Sequence, residues 1–434
     1  FNTSCWNCHV SQLSVNYDAE SDTYDSLWAE AGINCETCHG AAAEHIRVCE
    51  EAPEGEVPED LKIVLVSAFD VQQTNDTCAP CHAKAVPLTS DFQPGAAYFD
   101  HFDLTCLEDR DFYPDGRDLG ENYTMTLWHM SPCVRSGQLD CVHCHTSSGR
   151  TRHTGEDSNQ LCMPCHEEHV ADVAGHSHHP EGSAGSRCVA CHMPMTEFAR
   201  MRRSDHSMRP PAPVLSMEFG SPNACTICHV DEMPEWADEH VRAWRARDYQ
   251  APILHAAELV AAAREADWSR LDDVLAFVAD AEHDEVTRTT LIRLLAGSGS
   301  PKKVGVLLGA LSDASPLVRS AAAAGLEGWR EPPVIAALLE ATGDPVRLVR
   351  VRAAGALSGI PAGDLPAPLR ERLARATEEL EAALTVRPDA WSTYYNLGNL
   401  HAQRGEHEEA FAAFRRASRL RPDVEAPWVN AAML

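Results

Sequence analysis

The residues able to do chemistry come in one repeated word. Cys-x-x-Cys-His occurs seven times: Cys5, Cys8 and His9; Cys35, Cys38 and His39; Cys78, Cys81 and His82; Cys141, Cys144 and His145; Cys162, Cys165 and His166; Cys188, Cys191 and His192; Cys225, Cys228 and His229. Two thiols three residues apart reach the two vinyl groups on one edge of a porphyrin, and the adjoining imidazole then lies under the iron as its proximal ligand. Structural zinc would use such thiols in pairs of pairs, with no histidine required after every second cysteine. A thioredoxin-like site needs one such pair at a helix start beside a parallel strand. The repeated word therefore implies covalent c-type haem, seven in all, and it consumes fourteen of the seventeen cysteines.

An iron that only shuttles electrons needs a sixth ligand, and among crowded haems that is usually a second imidazole. Of 22 histidines, seven are proximal and eleven others precede residue 241. His45 follows the slender run Gly40 to Ala43, which lets backbone approach a porphyrin face, and His101 is flanked by Tyr98, Phe99 and Phe102. His176, His178 and His179 form a cluster of which two are expected to bind. His206 follows Arg202 and Arg203, cations suited to haem propionates. His129, between Trp128 and Met130, and His255, in the first helix after the cysteines, complete the candidates. His143 lies inside a motif and can serve only a neighbouring haem, while His153, His169 and His240 read as surface residues. Met193, Met195 and Met208 are thioether substitutes that would raise the potential of the haem they bound. With every distal position filled the chain is a conductor. With one iron open it is a candidate oxidoreductase for a small nitrogen or sulfur compound.

Cys49, Cys106 and Cys133 remain. One disulfide plus one thiol is the plain reading, since haem attachment implies an oxidising compartment, periplasmic or extracellular. The sharper one makes Cys133, upstream of Cys141, part of an unusual attachment site. The formal charge of -29 is concentrated in the first 250 residues, where 40 acidic residues face 16 basic ones. That field repels nucleic acid and anionic lipid, so neither is expected as a partner. It favours a basic redox partner, or Ca²⁺ bridging carboxylates in the acidic runs 50–60 and 109–121. No run of eighteen apolar residues occurs, so no membrane span is expected. The first residue is Phe1, which fits a removed targeting peptide and a cut boundary equally.

The words around the motifs carry a resemblance. Gly32 to Gly40, Asp111 to Gly116, Cys188 to Pro194, Ser204 to Met208, Phe219 to Cys225 and Trp236 to Asp238 resemble the multihaem cytochromes related to cytochrome c554, including a group whose haem domain is fused to helical repeats. The resemblance covers roughly residues 1–260. It implies bis-histidine haems stacked in close pairs, electron transfer, a place outside the cytoplasm, and distal roles for His45, His176, His179 and His206. Unlike the related octahaem and pentahaem enzymes, this chain has no eighth motif and no Cys-x-x-Cys-Lys variant, which weakens a catalytic reading.

These residues must be held by two kinds of scaffold. Residues 1–240 hold few long periodic segments, as expected where macrocycles supply the apolar core. After residue 250 apolar residues recur at helical spacing. Arg288, Arg319 and Arg350 keep a step of 31, as do Leu295, Leu326 and Leu357, resembling short HEAT repeats. Pro388 and Pro422, 34 apart, bracket Trp391, Gly398, Gly405, Ala410, Phe414 and Ala417 in a tetratricopeptide-like pattern. The expected fold is mainly α: a loop-rich multihaem domain (1–245), HEAT-like repeats (246–375) and one tetratricopeptide-like unit (376–434). Such a solenoid offers a surface for docking a partner or further copies of the chain in a homopolymer, or serves as a cap over porphyrin edges.

Overall fold

The computed structural model describes residues 5–121, 123–146, 149–361, 363 and 365–434. Helices dominate, and the sheets among the described residues are two-stranded ribbons. Packing sorts the chain into two units, one of Phe1–Cys81, Ala85–Asp103 and Arg319–Leu434, the other of His82–Lys84 and Leu104–Val318. Motif-bearing and repeat segments occur in both.

In the first unit the amino-terminal segment folds as ribbons, Val10–Ser11 against Glu30–Ala31 and Tyr17–Asp18 against Thr23–Tyr24. Asn34 then starts the helix Cys35–His39 with a capping box, accepting from Thr37 N while Thr37 Oγ1 accepts from Asn34 N. One helical turn places Cys35 and Cys38 on a common face, the geometry the motif needs. The helix Val71–His82 carries the third motif, and its buried Asp76 accepts from Tyr98 N at 3.1 Å. The repeat helices of this unit share a core of Val351, Ala354, Ala376, Leu380 and Leu400. In the tetratricopeptide-like pair Trp391–Gln403 and His407–Leu420, Gly398 gives way to the Phe414 ring, which a Cβ would meet at 2.5 Å. Arg347 binds Asp100 through its N–H at 2.6 Å and Nη1 at 3.1 Å, and Arg352 pairs with Asp103. Tyr24 donates to Asp389 at 3.1 Å.

In the second unit the helix Thr124–Met130 is almost wholly buried and packs on the repeat helix Glu285–Leu294. A tight turn precedes it: Tyr113 N donates to Arg117 O at 2.8 Å, and Gly116, at φ 92°, lies where a Cβ would strike Met130 Sδ at 2.7 Å. Repeat side chains satisfy the loop carbonyls beside this turn. Arg264 donates to Leu107, Asp109 and Phe112, Arg293 to Leu104 at 3.0 Å, and Thr290 Oγ1 accepts from Leu107 N at 2.9 Å.

The 31-residue step has a physical cause. Arg288 pairs with Asp313 at 2.5 Å, Arg319 with Asp344 at 2.8 Å, and Arg350 with Glu379 at 2.6 Å, so each repeat's arginine reaches a carboxylate of the next. Asp313 and Asp344 also fix the turn entering the following helix by accepting from Ser315 N and Val346 N.

Candidate haem-binding site

Four elements of the second unit converge on one cleft. Asp172 caps Val173–Ser177 by accepting from Gly175 N, which presents His176 at that helix's end. His178 follows in the left-handed conformation (φ 58°), and the chain turns to place His179 beyond it. Cys188–His192 is one helical turn with the sixth motif, and the seventh lies in the turns before the helix Pro234–Trp244. The cleft wall is mostly apolar, with Cys188, Cys191, Cys225, Cys228, His176, His179, His192 and His229 opening onto it. Gly185 lets His179 close in: a Cβ there would lie 2.2 Å from the ring.

Two imidazoles on opposite faces of one iron hold their ring centres about 6 Å apart. His176 and His192 stand 6.1 Å apart and His179 and His229 6.0 Å, each pairing a proximal histidine with a distant one. A third pair lies outside the cleft, His145 and His206 at 6.4 Å. His206 is delivered by the hairpin Met195–Phe198 with Met201–Ser204, and its Nδ1 donates to Ser204 O at 2.8 Å. His179 Nδ1 likewise donates to Ser177 O at 2.7 Å. Fixing the Nδ1 proton on a carbonyl leaves Nε2 as the ligand atom. Burial and Arg245 hold His176 down at about 4, and burial lowers His82, His192 and His206, so these rings are neutral, the form that binds iron. The donor set and the space between paired rings fit haem.

Thiols of different motifs also approach one another. Cys8 hydrogen-bonds Cys81, which draws Cys8 down to about 7, and Cys188 is drawn to about 7 by Cys162. Burial, then Cys225 and Cys228, raise Cys191 to about 11.

The other candidates stand as follows. His45 donates from Nδ1 to Leu61 O at 2.7 Å, as proximal His39 does to Val64 O at 2.8 Å. His101 is held by Thr89 Oγ1 at 2.6 Å, edge-on to Phe92. His129 Nδ1 meets Glu285 at 2.7 Å, and Glu285 is braced by Ser315. His178 stacks on Trp244 at 4.4 Å rather than on a motif ring. His255 bonds Arg270 at 2.9 Å and flanks Phe277. His143 Nε2 meets Leu161 O at 3.1 Å, and His169 lies 4.5 Å from His176. Met195 is exposed, and Met208 and Arg209 offer their backbone to the His192 ring.

Sequence reasoning placed His240 at the surface, yet it lines the cleft between Trp236 (4.3 Å) and Trp244 (6.2 Å). The available signal was the four-residue spacing of Trp236, His240 and Trp244, one stripe of one helix. The expected disulfide is not formed: Cys49 is exposed beside His45, Cys106 is fully buried, and Cys133 lies near the thiols of Cys144, Cys162 and Cys165. Among the described residues no group of three or more His, Cys, Asp or Glu is arranged to hold a metal ion. In the run 109–121, Asp109 and Asp111 pair with Lys84 and Asp115 with Arg117, rather than with one another around a cation.

Residues 173–289, which contain this cleft, match the cytochrome c552 family. Residues 271–358 and 305–386 match HEAT repeats, and 391–424 a tetratricopeptide repeat. The chain is a multihaem c-type cytochrome fused to helical repeats. The crystal structure of the outer cell wall cytochrome OcwA is similar to this cytochrome at 17% identity over 75% of each chain, with a TM-score of 0.40. No curated protein matches it. Bound c-type haem would supply this cytochrome with a one-electron couple, with the motif cysteines tethering it and histidines ligating its iron. No helix among the described residues is long and apolar enough to cross a membrane.

Proposed function

We propose that the protein conducts electrons along seven closely spaced haems, in the periplasm or outside the cell, with each iron six-coordinate. The observation that carries this is the facing of proximal and distant histidines at 6.0, 6.1 and 6.4 Å. Proximity of Cys162 to Cys188, and of Cys191 to Cys225 and Cys228, supports a continuous path through the fifth, sixth and seventh sites. The further distal ligands are drawn from His45, His101, His129 and His240, each with Nδ1 already committed to an oxygen.

The repeats then act first as a brace. Arg264 and Arg293 in one unit, and Arg347 and Arg352 in the other, close off polar backbone and carboxylates of motif-bearing segments, which supports that role. Docking of a redox partner or of further copies of the chain is a second role for their outer faces. Low-temperature electron paramagnetic resonance of the oxidised protein tests the proposal. Low-spin ferric signals alone are expected, and a high-spin iron that binds nitrite or hydroxylamine would replace the conduit by an enzyme. Particle size against concentration tests assembly.

A further inference from the structure

A polar knot lies beside the haem positions of the second unit and takes no part in ligation. Asp115 and Arg117 pair with side chains 0% and 7% exposed, and Arg117 Nε lies 3.3 Å from Asp205. Asp115 also accepts from Ser221 Oγ at 2.8 Å, and its backbone carbonyl accepts from Arg209 Nη2 at 2.8 Å. Arg209 differs from Arg117 in one respect. Among the described residues no carboxylate stands within ion-pair distance of it, and Asp115, Asp205 and Asp284 act on it only from further away.

The donors around it are also unanswered. Arg209 Nε is sealed from solvent with no acceptor, Ser207 is fully buried with its Oγ unpartnered, and buried Asn223 leaves Nδ2 unpartnered. A guanidinium nitrogen and other donors sealed from solvent without acceptors each cost free energy, and native proteins keep few of them. Ser207 and Arg209 share one short segment, and Asn223 lies two residues after Ser221, which binds the same Asp115 that Arg209 binds, so these donors fit an anion rich in acceptor oxygens. The position says which anion. Backbone groups of Met208 and Arg209 meet the His192 ring, His206 three residues earlier faces His145, and Asn223 accepts from Cys225 N at 3.0 Å. Porphyrin brings its carboxylates to such places, on the edge opposite the thioethers.

We propose that Arg209, with Ser207 and Asn223, anchors a haem propionate and by its charge raises that haem's reduction potential. This rests on haem occupying the motifs. Arg209 is a positioning residue, since it touches the macrocycle's substituent and not the iron. Its cation disfavours the ferric state, which carries one more positive charge than the ferrous, and a charge in a site of low polarity acts over several ångströms.

The test is spectroelectrochemical titration of holoprotein carrying Arg209→Gln, with haem content checked by mass and by the reduced absorption bands. The expected result is full haem content and one haem wave displaced to more negative potential, the rest unmoved, with Arg209→Lys restoring it. Two backgrounds identify the source. Cys188→Ser with Cys191→Ser removes the haem on His192, and Cys141→Ser with Cys144→Ser the haem on His145; the displacement vanishes only where the anchored haem is gone. Unmoved potentials, a shift common to all haems, or no rescue by lysine would overturn the proposal. If Arg209→Gln fails to mature, Ser207→Ala is read instead: a smaller shift of one wave supports the anchor, and none overturns it. A parent protein without haem would sink the haem reading itself.

Discussion

The repeat helix Glu285–Leu294 buries Val286 to Ile292 without a break, whereas the motif helices Cys35–His39, Cys141–Cys144 and Cys188–His192 bury no residue at all. Both regions fold from helical turns, but only one owns its core. Repeat segments interlock side chains with their sequence neighbours, the arrangement that gives a solenoid stability repeat by repeat. Apart from Val71–His82, which buries Ala79, these motif helices are four or five residues long, too short to bury apolar surface without a macrocycle to complete them. The amino-terminal sites therefore depend on a ligand for order, as small metal domains do, and the repeats do not.

Four experiments bear on that contrast, beginning with the greatest effect. Protein made without haem attachment should lose amide protection through the motif helices while residues 271–386 keep theirs in hydrogen exchange; protected motif helices would erase the distinction. In the repeats, Arg288→Ala leaves Asp313 buried without its partner and should cost about 3–5 kcal/mol, read from the denaturation midpoint. A loss below 1 kcal/mol would mean the arginine ladder is decorative.

Asp118, buried in the motif-bearing segment, offers a pH contrast. Burial and nearby Asp205 raise it from 3.8 to about 7. A carboxyl that prefers its proton when folded contributes stability fully present below pH 4 and lost as pH climbs through 7. The loss is on the order of 4 kcal/mol, and Asp118→Asn should flatten stability across that window and leave the variant more stable than the parent at pH 8. An unchanged pH profile would refute this. The smallest effect concerns local order: Asp140 caps Cys141–Cys144 by accepting from His143 N at 2.9 Å, so Asp140→Ala should cost about 1 kcal/mol in the apoprotein, where no macrocycle holds the turn. Equal cost in the holoprotein would count against the dependence on haem.

What the sequence disclosed follows the same division. Thioether attachment depends on local geometry, so Cys-x-x-Cys-His is recognisable as an expectation wherever it occurs, and the equal spacing of Arg288, Arg319 and Arg350 betrayed the repeats because each arginine does the same job. Distal partnership is not local. His206 meets His145 across 61 intervening steps of chain and His179 meets His229 across 50, set by a hairpin and a left-handed turn that no spacing rule records. His240 was misplaced because an isolated histidine on an acidic helix looks solvated until its tryptophan neighbours are seen to face a cleft. Nor was it legible that Arg264, Arg293, Arg347 and Arg352 would leave the solenoid's surface to bind carbonyls and carboxylates of residues 100–112, since arginine on a helix ordinarily points to water.

One short turn has a wider consequence. His176 faces His192 and His179 faces His229, so under the proposed ligation two redox centres would take their ligands from positions three residues apart, joined by the left-handed His178. Three residues span at most about 11 Å of chain. In that arrangement the gap an electron crosses would be gauged by a leash of covalent bonds rather than by the looser fit of packed helices, and thermal breathing elsewhere would leave this link at nearly constant length.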